Sequence, residues 1–299
     1  MILLINLKAR KLLNAAEFTL FILPALILVV ITTDLPFLMN IYYSFQKWNG
    51  LSKVIKFIGA GNFIELFTDD PSFWHSFAFT FKYLFFYAVF SNVTALTIAV
   101  LLSNSFAARG FVRSSIYLPY IISLIAVSLI WQFIFGTGFE ALYRLTGLEL
   151  FRLSWLGDGR LAFYSVLVTT LWQTIGFYMV IYIAGLTTIP SDIIEASEID
   201  GYVGLKRFFK IKLPLIVPSL TVCVFYSITY AFKLFDIILV MTKGGPGEAT
   251  STIAFNIYTE AFVNSRYGYG TAKSLVLFVV VLIVTVVQVR FFKEREVEA

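Results

Sequence analysis

The stretch "IPSDIIEASEIDGYVGLKRFFKIKLPLIVPSL", residues 189–220, interrupts a chain that is otherwise strongly apolar. Starting at Asp192, it places eight charged residues in a span of 21, four acids followed by four bases. Ser191 is a suitable helix N-cap, and acids favour the first half of a helix because the helix dipole is positive there. Gly201 tolerates the left-handed turn that ends a helix. The pattern predicts a short helix, a glycine turn and a second, basic segment; residues 189–214 are called the elbow below.

The composition is that of an integral membrane protein. Of 299 residues, 59% are hydrophobic and 14% are charged, too few charged side chains to cover a soluble domain of this length. The bases lie in short groups between apolar runs, which is typical of membrane proteins rather than of a nucleic-acid-binding patch. Cys223 and His75 are the only cysteine and histidine. A disulfide within the chain is therefore excluded. A metal site or a catalytic triad built on histidine is disfavoured, because the sequence has a single histidine.

Six apolar runs reach the length of about 20 residues that a membrane-spanning helix needs. They predict an all-α integral membrane protein made of a single domain, residues 1–299, with its core spans at about 77–291. The first run is interrupted by Pro24, Asp34 and Pro36, and we interpret it as a retained anchor rather than a cleaved signal peptide. The predicted spans are 18–43, 77–102, 115–135, 161–186, 215–241 and 272–291.

The distribution of Lys and Arg predicts the orientation. With both termini in the cytoplasm, the inner segments hold twelve of these residues and the outer segments eight, and the inner charges lie closer to the ends of the spans. The elbow, between the fourth and fifth spans, is then cytoplasmic. Its residues alone leave two readings open: an ordinary solvated loop, or a compact element that docks on another protein.

Two segments carry the pattern of a known family. The first, "EASEIDG" followed after nine residues by "IKLP", resembles the Glu-Ala-Ala…Gly…Ile-x-Leu-Pro signature of permease subunits of bacterial ABC importers, with Ser197 in place of the second alanine. The second, "LFDIILVMTKGGPGEATST" at residues 234–252, resembles the Phe-Asp…Thr-x-Gly-Gly-Pro…Thr segment of carbohydrate-type permeases related to the maltose transporter. The resemblance extends over nearly the whole chain and implies one subunit of a permease heterodimer in a bacterial cell membrane.

The resemblance also implies a role for the elbow, as a coupling helix held in a cleft of a cytoplasmic ATPase subunit. Glu195 would anchor the helix, Gly201 would allow the turn after it, and Pro214 would set where the next span begins. The full set of coupling residues that the signature predicts is Glu195, Ala196, Ser197, Asp200, Gly201, Ile211, Leu213 and Pro214.

The expected partners are a second permease subunit, two cytoplasmic ATPase subunits, an extracytoplasmic solute-binding protein and the membrane lipid, with no nucleic acid. We expect ATP and Mg²⁺ on the ATPase subunits and no cofactor or metal on this chain, because the sequence has no G-x-x-x-x-G-K-[ST] segment.

Polar and aromatic side chains within the spans predict a path for cargo. Lys233 and Asp236 are three residues apart in the fifth span, and they either form a structural ion pair or face an aqueous path. Aromatic rings stack on sugar faces and their polar tips bind sugar hydroxyls, although a single ring in so aromatic a chain also suits ordinary packing. In the family that the chain resembles, the cargo site uses the fourth and fifth spans. The predicted path residues are Gln173, Tyr178, Ser227, Tyr230, Lys233 and Asp236.

These observations predict a transport subunit that imports a sugar or oligosaccharide. Another polar solute such as glycerol 3-phosphate is the alternative within this class, although a phosphate favours several bases in the path and Lys233 offers one. The sequence has few residues suited to catalysis, which argues against a membrane-embedded enzyme. A self-sufficient channel or secondary carrier leaves the elbow unexplained.

Overall fold

The structure, a computed structural model, describes residues 18–103 and 107–293. These residues are almost entirely helical, apart from loops and one short antiparallel pair of strands, β1 (Gln46–Lys47) and β2 (Lys56–Phe57). The all-α prediction is confirmed. The helices are α1 (Phe18–Ser44), α2 (Gly61–Thr68), α3 (Pro71–Leu101), α4 (Arg109–Ile121), α5 (Leu124–Thr146), α6 (Glu149–Arg152), α7 (Gly159–Thr187), α8 (Ser191–Ile199), α9 (Gly204–Leu215), α10 (Val217–Phe232), α11 (Ile253–Val263) and α12 (Tyr267–Lys293).

Within the described ranges, five helices are long and apolar enough to cross a membrane, namely α1, α3, α5, α7 and α12. The pair α9 and α10 passes the same test together but is bent by 75° at the break between them. Two prolines flank this bend, Pro214 and Pro218, and a proline removes an amide donor from the helix ladder. The predicted number of six spans is reached when the bent pair counts as one span.

The predicted boundaries of the third span, 115–135, are wrong. The structure has two helices there, α4 and α5, separated by Ile122 and Ser123, whose ψ angles are 138° and 136°. Pro119 lies inside the last turn of α4 and lacks the amide hydrogen that would continue the helix ladder. After the break, α5 runs through a π-helical turn at Ile134–Gly138 and ends well beyond the predicted limit.

The prediction of a continuous fifth span, 215–241, is also wrong. Helix α10 ends at Phe232, the chain is not helical at 234–235, and a π-helical turn follows at Ile238–Thr242. Thr252 donates a hydrogen bond of 2.7 Å to the carbonyl oxygen of Leu234, an acceptor within the break. Hydropathy continues unchanged across this break, so an apolar run does not reveal it.

The described residues divide into two compact units, one made of residues 18–67 and 260–275 and the other of the remaining described residues. The prediction of one domain stays a prediction. In the first unit, the buried amide of Asn62 ties the strand pair and α2 to the start of α12. It donates hydrogen bonds to the backbone carbonyls of Ser44, Gln46 and Gly268.

The core of the second unit is formed by α3, α7 and α10. Four fully buried tyrosines fill it, Tyr83 and Tyr87 from α3 and Tyr178 and Tyr182 from α7. Gly176 lets α4 approach α7 closely, because a Cβ atom at this position would overlap the backbone of α4. The core therefore combines large aromatic rings with a close helix contact, as is usual when helices pack within a membrane.

Candidate functional site

A cavity of about 300 Å³ lies beside the end of α10, where the predicted fifth span breaks. Its lining combines aromatic rings, hydroxyl groups and two side chains of opposite charge. Three of the predicted path residues are in this lining, and Lys233 is exposed at its surface. The polar and aromatic residues of the cavity are Tyr226, Thr229, Tyr230, Lys233, Phe235 and Asp236.

Tyr230 connects the cavity to α3 and α7. Its ring stacks on Tyr87 with 5.1 Å between the ring centroids. Its hydroxyl lies 3.5 Å from Oε1 of Gln173, a long hydrogen bond, and Nε2 of Gln173 lies 3.5 Å from the carbonyl oxygen of Tyr120. A fourth predicted path residue, Gln173, therefore adjoins the cavity with both ends of its amide in loose contacts.

Tyr178 lies in the packed core rather than in the cavity lining. Its hydroxyl is 3.1 Å from the hydroxyl of Tyr87, which in turn donates to Thr174 at 2.9 Å. Tyr87 also carries the ring on which Tyr230 stacks. The structure thus links Tyr178 to the cavity through one intervening tyrosine.

Ser227 is buried at the meeting point of three helices. It donates to the carbonyl of Val224 at 2.8 Å and accepts from Nδ2 of Asn92 at 3.3 Å. The other end of the Asn92 amide accepts a 2.6 Å hydrogen bond from Tyr182. These bonds join α3, α7 and α10, and the role of Ser227 in the path stays a prediction.

Lys233 and Asp236 are not paired along a regular helix. The helix ends one residue before Lys233, so the three-residue spacing does not place the two side chains on one helical face. The ion pairs among the described residues do not include one between them. The interpretation as a helical ion pair is therefore wrong, and both side chains instead line the cavity.

Three of the polar and aromatic lining residues were not predicted from the sequence, namely Tyr226, Thr229 and Phe235. A usable signal existed for the first two, because Tyr226 and Tyr230, like Thr229 and Lys233, are four residues apart and share a helical face. Phe235 lies in the break after α10, and no sequence feature placed that break.

The segment with the second family pattern forms a loop, residues 242–252, that is hydrogen-bonded internally and to α3. Oγ1 of Thr250 lies 2.7 Å from the carbonyl oxygen of Gly245 and 2.8 Å from Oγ1 of Thr242. The amide of Ile253 donates to Oγ1 of Thr80 at 3.0 Å. The hydroxyl groups of this pattern thus set the shape of the loop.

The elbow has the predicted helix, glycine turn and second helix. Gly201 follows α8 with φ +74°, in the left-handed region. Its amide donates to the carbonyl of Glu198 at 3.0 Å, and the amide of Tyr202 donates to the carbonyl of Ser197 at 2.8 Å. This pair of bonds is the Schellman motif, which ends a helix at a left-handed residue. Arg207 of α9 forms an ion pair with Glu198 and ties the two helices together.

The predicted coupling residues differ in exposure. Ser197 is buried, and its hydroxyl donates to the carbonyl of Ile194 at 2.6 Å. Ile199, an apolar residue of the same helix, is 87% exposed. Half-buried are Ile211, Leu213 and Pro214, whereas Glu195, Ala196, Asp200 and Gly201 are exposed. An acidic and apolar surface of α8 is therefore open to contact.

Residues 91–296, which contain the elbow and the cavity, match the family of the "binding-protein-dependent transport system inner membrane component". The chain belongs to this family. It is therefore a multi-pass inner membrane permease and not an ATPase. The predictions of a membrane location and of a permease subunit of a binding-protein-dependent importer are confirmed.

Named relatives match the permease over more than nine-tenths of its length. It is 39% identical over 291 residues to the "probable starch degradation products transport system permease protein AmyD" of Thermoanaerobacterium thermosulfurigenes, an alignment that covers 97% of this chain and 99% of AmyD. It is 30% identical over 277 residues to the "sn-glycerol-3-phosphate transport system permease protein UgpA" of Agrobacterium fabrum, covering 92% of this chain and 94% of UgpA.

A solved structure has the same fold. The permease matches a chain from the crystal structure of "a bacterial ABC transporter involved in the import of the acidic polysaccharide alginate" with a TM-score of 0.80. The match covers 98% of this chain and 99% of the other at 20% sequence identity. At 20% sequence identity, this match shows that the two chains share a fold.

Proposed function

We propose that this chain is one of two permease subunits of an ATP-driven importer, and that it forms part of the path for a sugar or oligosaccharide. A solute-binding protein outside the membrane delivers the cargo, and two ATPase subunits in the cytoplasm bind ATP and Mg²⁺. Family membership supports the assignment as a permease of a binding-protein-dependent importer. The name of the relative AmyD, which refers to starch degradation products, supports a sugar or oligosaccharide as the cargo.

The lining of the cavity is the observation that carries the proposal. Tyr226 and Tyr230 offer ring faces on which a sugar ring stacks, while Thr229, Lys233 and Asp236 offer polar groups for its hydroxyls. This combination of stacking and hydrogen bonding suits a polar, uncharged ring. Gln173, at 3.5 Å from the hydroxyl of Tyr230, adds an amide that is held loosely enough to exchange partners.

The elbow is proposed as the coupling element. Glu195, Ala196 and Ile199 are exposed on α8, and the Schellman motif and the ion pair with α9 hold that helix in a defined position. A helix held in this way transmits a displacement to α10 through the bend at 216. The positive-inside bias supports a cytoplasmic elbow and cytoplasmic termini.

Glycerol 3-phosphate is the second candidate, since a relative of 30% identity is named for its transport. Lys233 in the cavity is a group that a phosphate favours. Asp236 lines the same cavity and repels an anion, so the lining suits an uncharged sugar better.

The test uses the assembled transporter in lipid vesicles with its binding protein and ATPases. Malto-oligosaccharides are expected to stimulate ATP hydrolysis and to enter the vesicles, whereas glycerol 3-phosphate does neither. Glu195→Ala is expected to abolish uptake and to release the ATPase in a pull-down, while Glu149→Ala, which removes an exposed acid from the short helix α6, leaves both unchanged. Uptake of glycerol 3-phosphate alone would exclude the sugar assignment, and normal uptake by Glu195→Ala would exclude the coupling role.

A further inference from the structure

A groove of about 760 Å³ lies between the last turns of α3 and helix α9 of the elbow. Its walls are mostly apolar, and residues at helical spacing on α3 form one side. The residues that define the groove on that side are Val93, Leu96, Thr97, Val100 and Leu101, and Leu205, Phe208 and Leu213 face them from α9.

Apolar side chains of the groove are open rather than packed. Val93 is 59% exposed, Leu101 65%, Leu205 76% and Phe209 59%. In water, so much apolar surface exposed at one place is unfavourable. Between two segments of a membrane protein, the groove suits a hydrocarbon chain.

Positive charge accompanies this apolar surface. Helix α9 carries four bases, Lys206, Arg207, Lys210 and Lys212, and has no acidic residue. Two of them, Arg207 and Lys212, line the groove. Arg207 is paired with Glu198, whereas Lys212 takes part in none of the ion pairs of the described residues. Lys212 is therefore the charge that a ligand in the groove meets.

We propose that this groove binds an anionic phospholipid of the cytoplasmic leaflet, with an acyl chain along α3 and the phosphate against Lys212. The proposal rests on the orientation proposed above, which places α9 at the inner membrane surface. Basic pockets on the cytoplasmic side of membrane proteins bind anionic headgroups, because the attraction adds to burial of the acyl chain. Lipid in this place fills the space between α9 and α3, so it stiffens the elbow on which coupling depends.

Native mass spectrometry of the assembled transporter tests which lipid occupies the groove. The transporter is titrated with phosphatidylglycerol or with phosphatidylcholine that has the same acyl chains. The wild type is expected to retain phosphatidylglycerol more strongly than phosphatidylcholine. Lys212→Gln is expected to weaken retention of phosphatidylglycerol about fivefold, the contribution of one base at a membrane surface, with little effect on phosphatidylcholine. Lys56→Gln is the matched control, because Lys56 is an exposed base of strand β2 that does not line the groove.

A second variant tests the apolar half of the groove. Thr97 is exposed and lines it, so Thr97→Trp fills the groove without disturbing the core. Both lipids are expected to be lost, while assembly with the ATPases is retained in size-exclusion chromatography. Displacement of the lipid by soluble glycerophosphoglycerol, which has no acyl chain, would contradict the role of the groove.

Two other results overturn the proposal. One is equal retention of phosphatidylglycerol by Lys212→Gln and Lys56→Gln. The other is cross-linking of Leu101→Cys to another protein chain, which would show that protein fills the groove. If the wild type retains phosphatidylglycerol and phosphatidylcholine equally while its sugar uptake is normal, only this inference is removed. Labelling of the elbow from outside would instead remove the orientation on which the proposed function depends.

Discussion

At the scale of single residues, buried hydroxyl groups fix the aromatic rings next to the cavity. Tyr83 donates to Thr170 at 2.7 Å and Tyr87 donates to Thr174 at 2.9 Å, so two rings of α3 are held by two threonines of α7. Buried polar groups cost free energy unless they are hydrogen-bonded, so these pairs select one position for each ring. Tyr230 then stacks on a ring that is already fixed.

The hydroxyl of Tyr230 is the part of this residue best placed to bind cargo. Tyr230→Phe keeps the stacking on Tyr87 and removes only the hydroxyl. We expect the KM for sugar uptake to rise between twofold and about tenfold, the range that one hydrogen bond supplies, with no loss of assembly. Initial rates of uptake into vesicles at varied concentrations of loaded binding protein measure the change.

Tyr164→Phe is the control for this substitution, since Tyr164 lies on α7 and is 50% exposed away from the cavity. It removes the same hydroxyl at a site where no contact with cargo is expected. If the two variants have the same KM as the wild type, Tyr230 serves packing only.

A buried lysine in α12 was missed by the sequence analysis. Lys273 is fully buried, and its Nζ lies 3.7 Å from Oε1 of Glu260 and 4.7 Å from the ring centroid of Tyr269. Glu260 also pairs with Arg266, which pairs with Glu65. Burial lowers the pKa of Arg266, but the hydrogen bond and charge of Glu65, together with Glu260, more than offset this and raise it.

Removal of the carboxylate of Glu260 is expected to destabilise the first unit. Glu260→Gln removes the carboxylate that lies 3.7 Å from the buried charge of Lys273, which costs about 3 kcal/mol. Glu65→Gln is the matched control, because Glu65 and Arg266 are 43% and 42% exposed and such a pair contributes less than about 1 kcal/mol. Thermal unfolding in detergent measures both, and equal midpoints would mean that Lys273 does not depend on Glu260.

At the scale of elements, the elbow depends on the backbone of Gly201. A Cβ atom there meets no other atom within 4 Å, so the requirement for glycine is conformational and not steric. A left-handed residue with a side chain costs roughly 1–2 kcal/mol, more for a β-branched one and less for Asn. The Schellman bonds of Gly201 and Tyr202 exist only in that conformation.

Gly201→Val is therefore expected to uncouple ATP hydrolysis from uptake or to release the ATPase, whereas Gly201→Asn retains most of the uptake. Gly110→Val is the control: a Cβ at Gly110 also meets no atom within 4 Å, but its φ lies outside the left-handed region. Uptake and ATPase pull-down are measured together. Normal coupling in Gly201→Val would show that the turn is not needed.

The sequence predicts the elements that are specified by neighbouring residues. It fails where contacts between distant residues determine the backbone. The acids, glycine and bases of the elbow lie within one short stretch, and the structure has the predicted arrangement. The break after Phe232 is accompanied by a hydrogen bond between Leu234 and Thr252, 18 residues away, which no apolar pattern reveals. The sequence therefore predicted Tyr230, Lys233 and Asp236 as path residues, but placed them on a continuous helix instead of at the edge of a cavity.

At the scale of the whole molecule, the composition indicates an integral membrane protein, and the distribution of Lys and Arg indicates its orientation in the membrane. Helices that expose large apolar side chains, such as Phe21 of α1 at 87%, require lipid around them. The orientation is argued from twelve inner against eight outer bases and not from any contact within the fold. The orientation decides whether the elbow can meet ATPases in the cytoplasm.

Two single cysteines distinguish the two sides of the membrane. Ile199 in the elbow is 87% exposed and Leu51 in the loop between β1 and β2 is 88% exposed, so their reactivities toward a small thiol reagent are matched. The native Cys223 is buried and provides a low background. In intact cells, an impermeant maleimide is expected to label Leu51→Cys and to spare Ile199→Cys until the membrane is opened. Labelling of Ile199→Cys from outside would reverse the topology and remove the elbow from reach of any cytoplasmic ATPase.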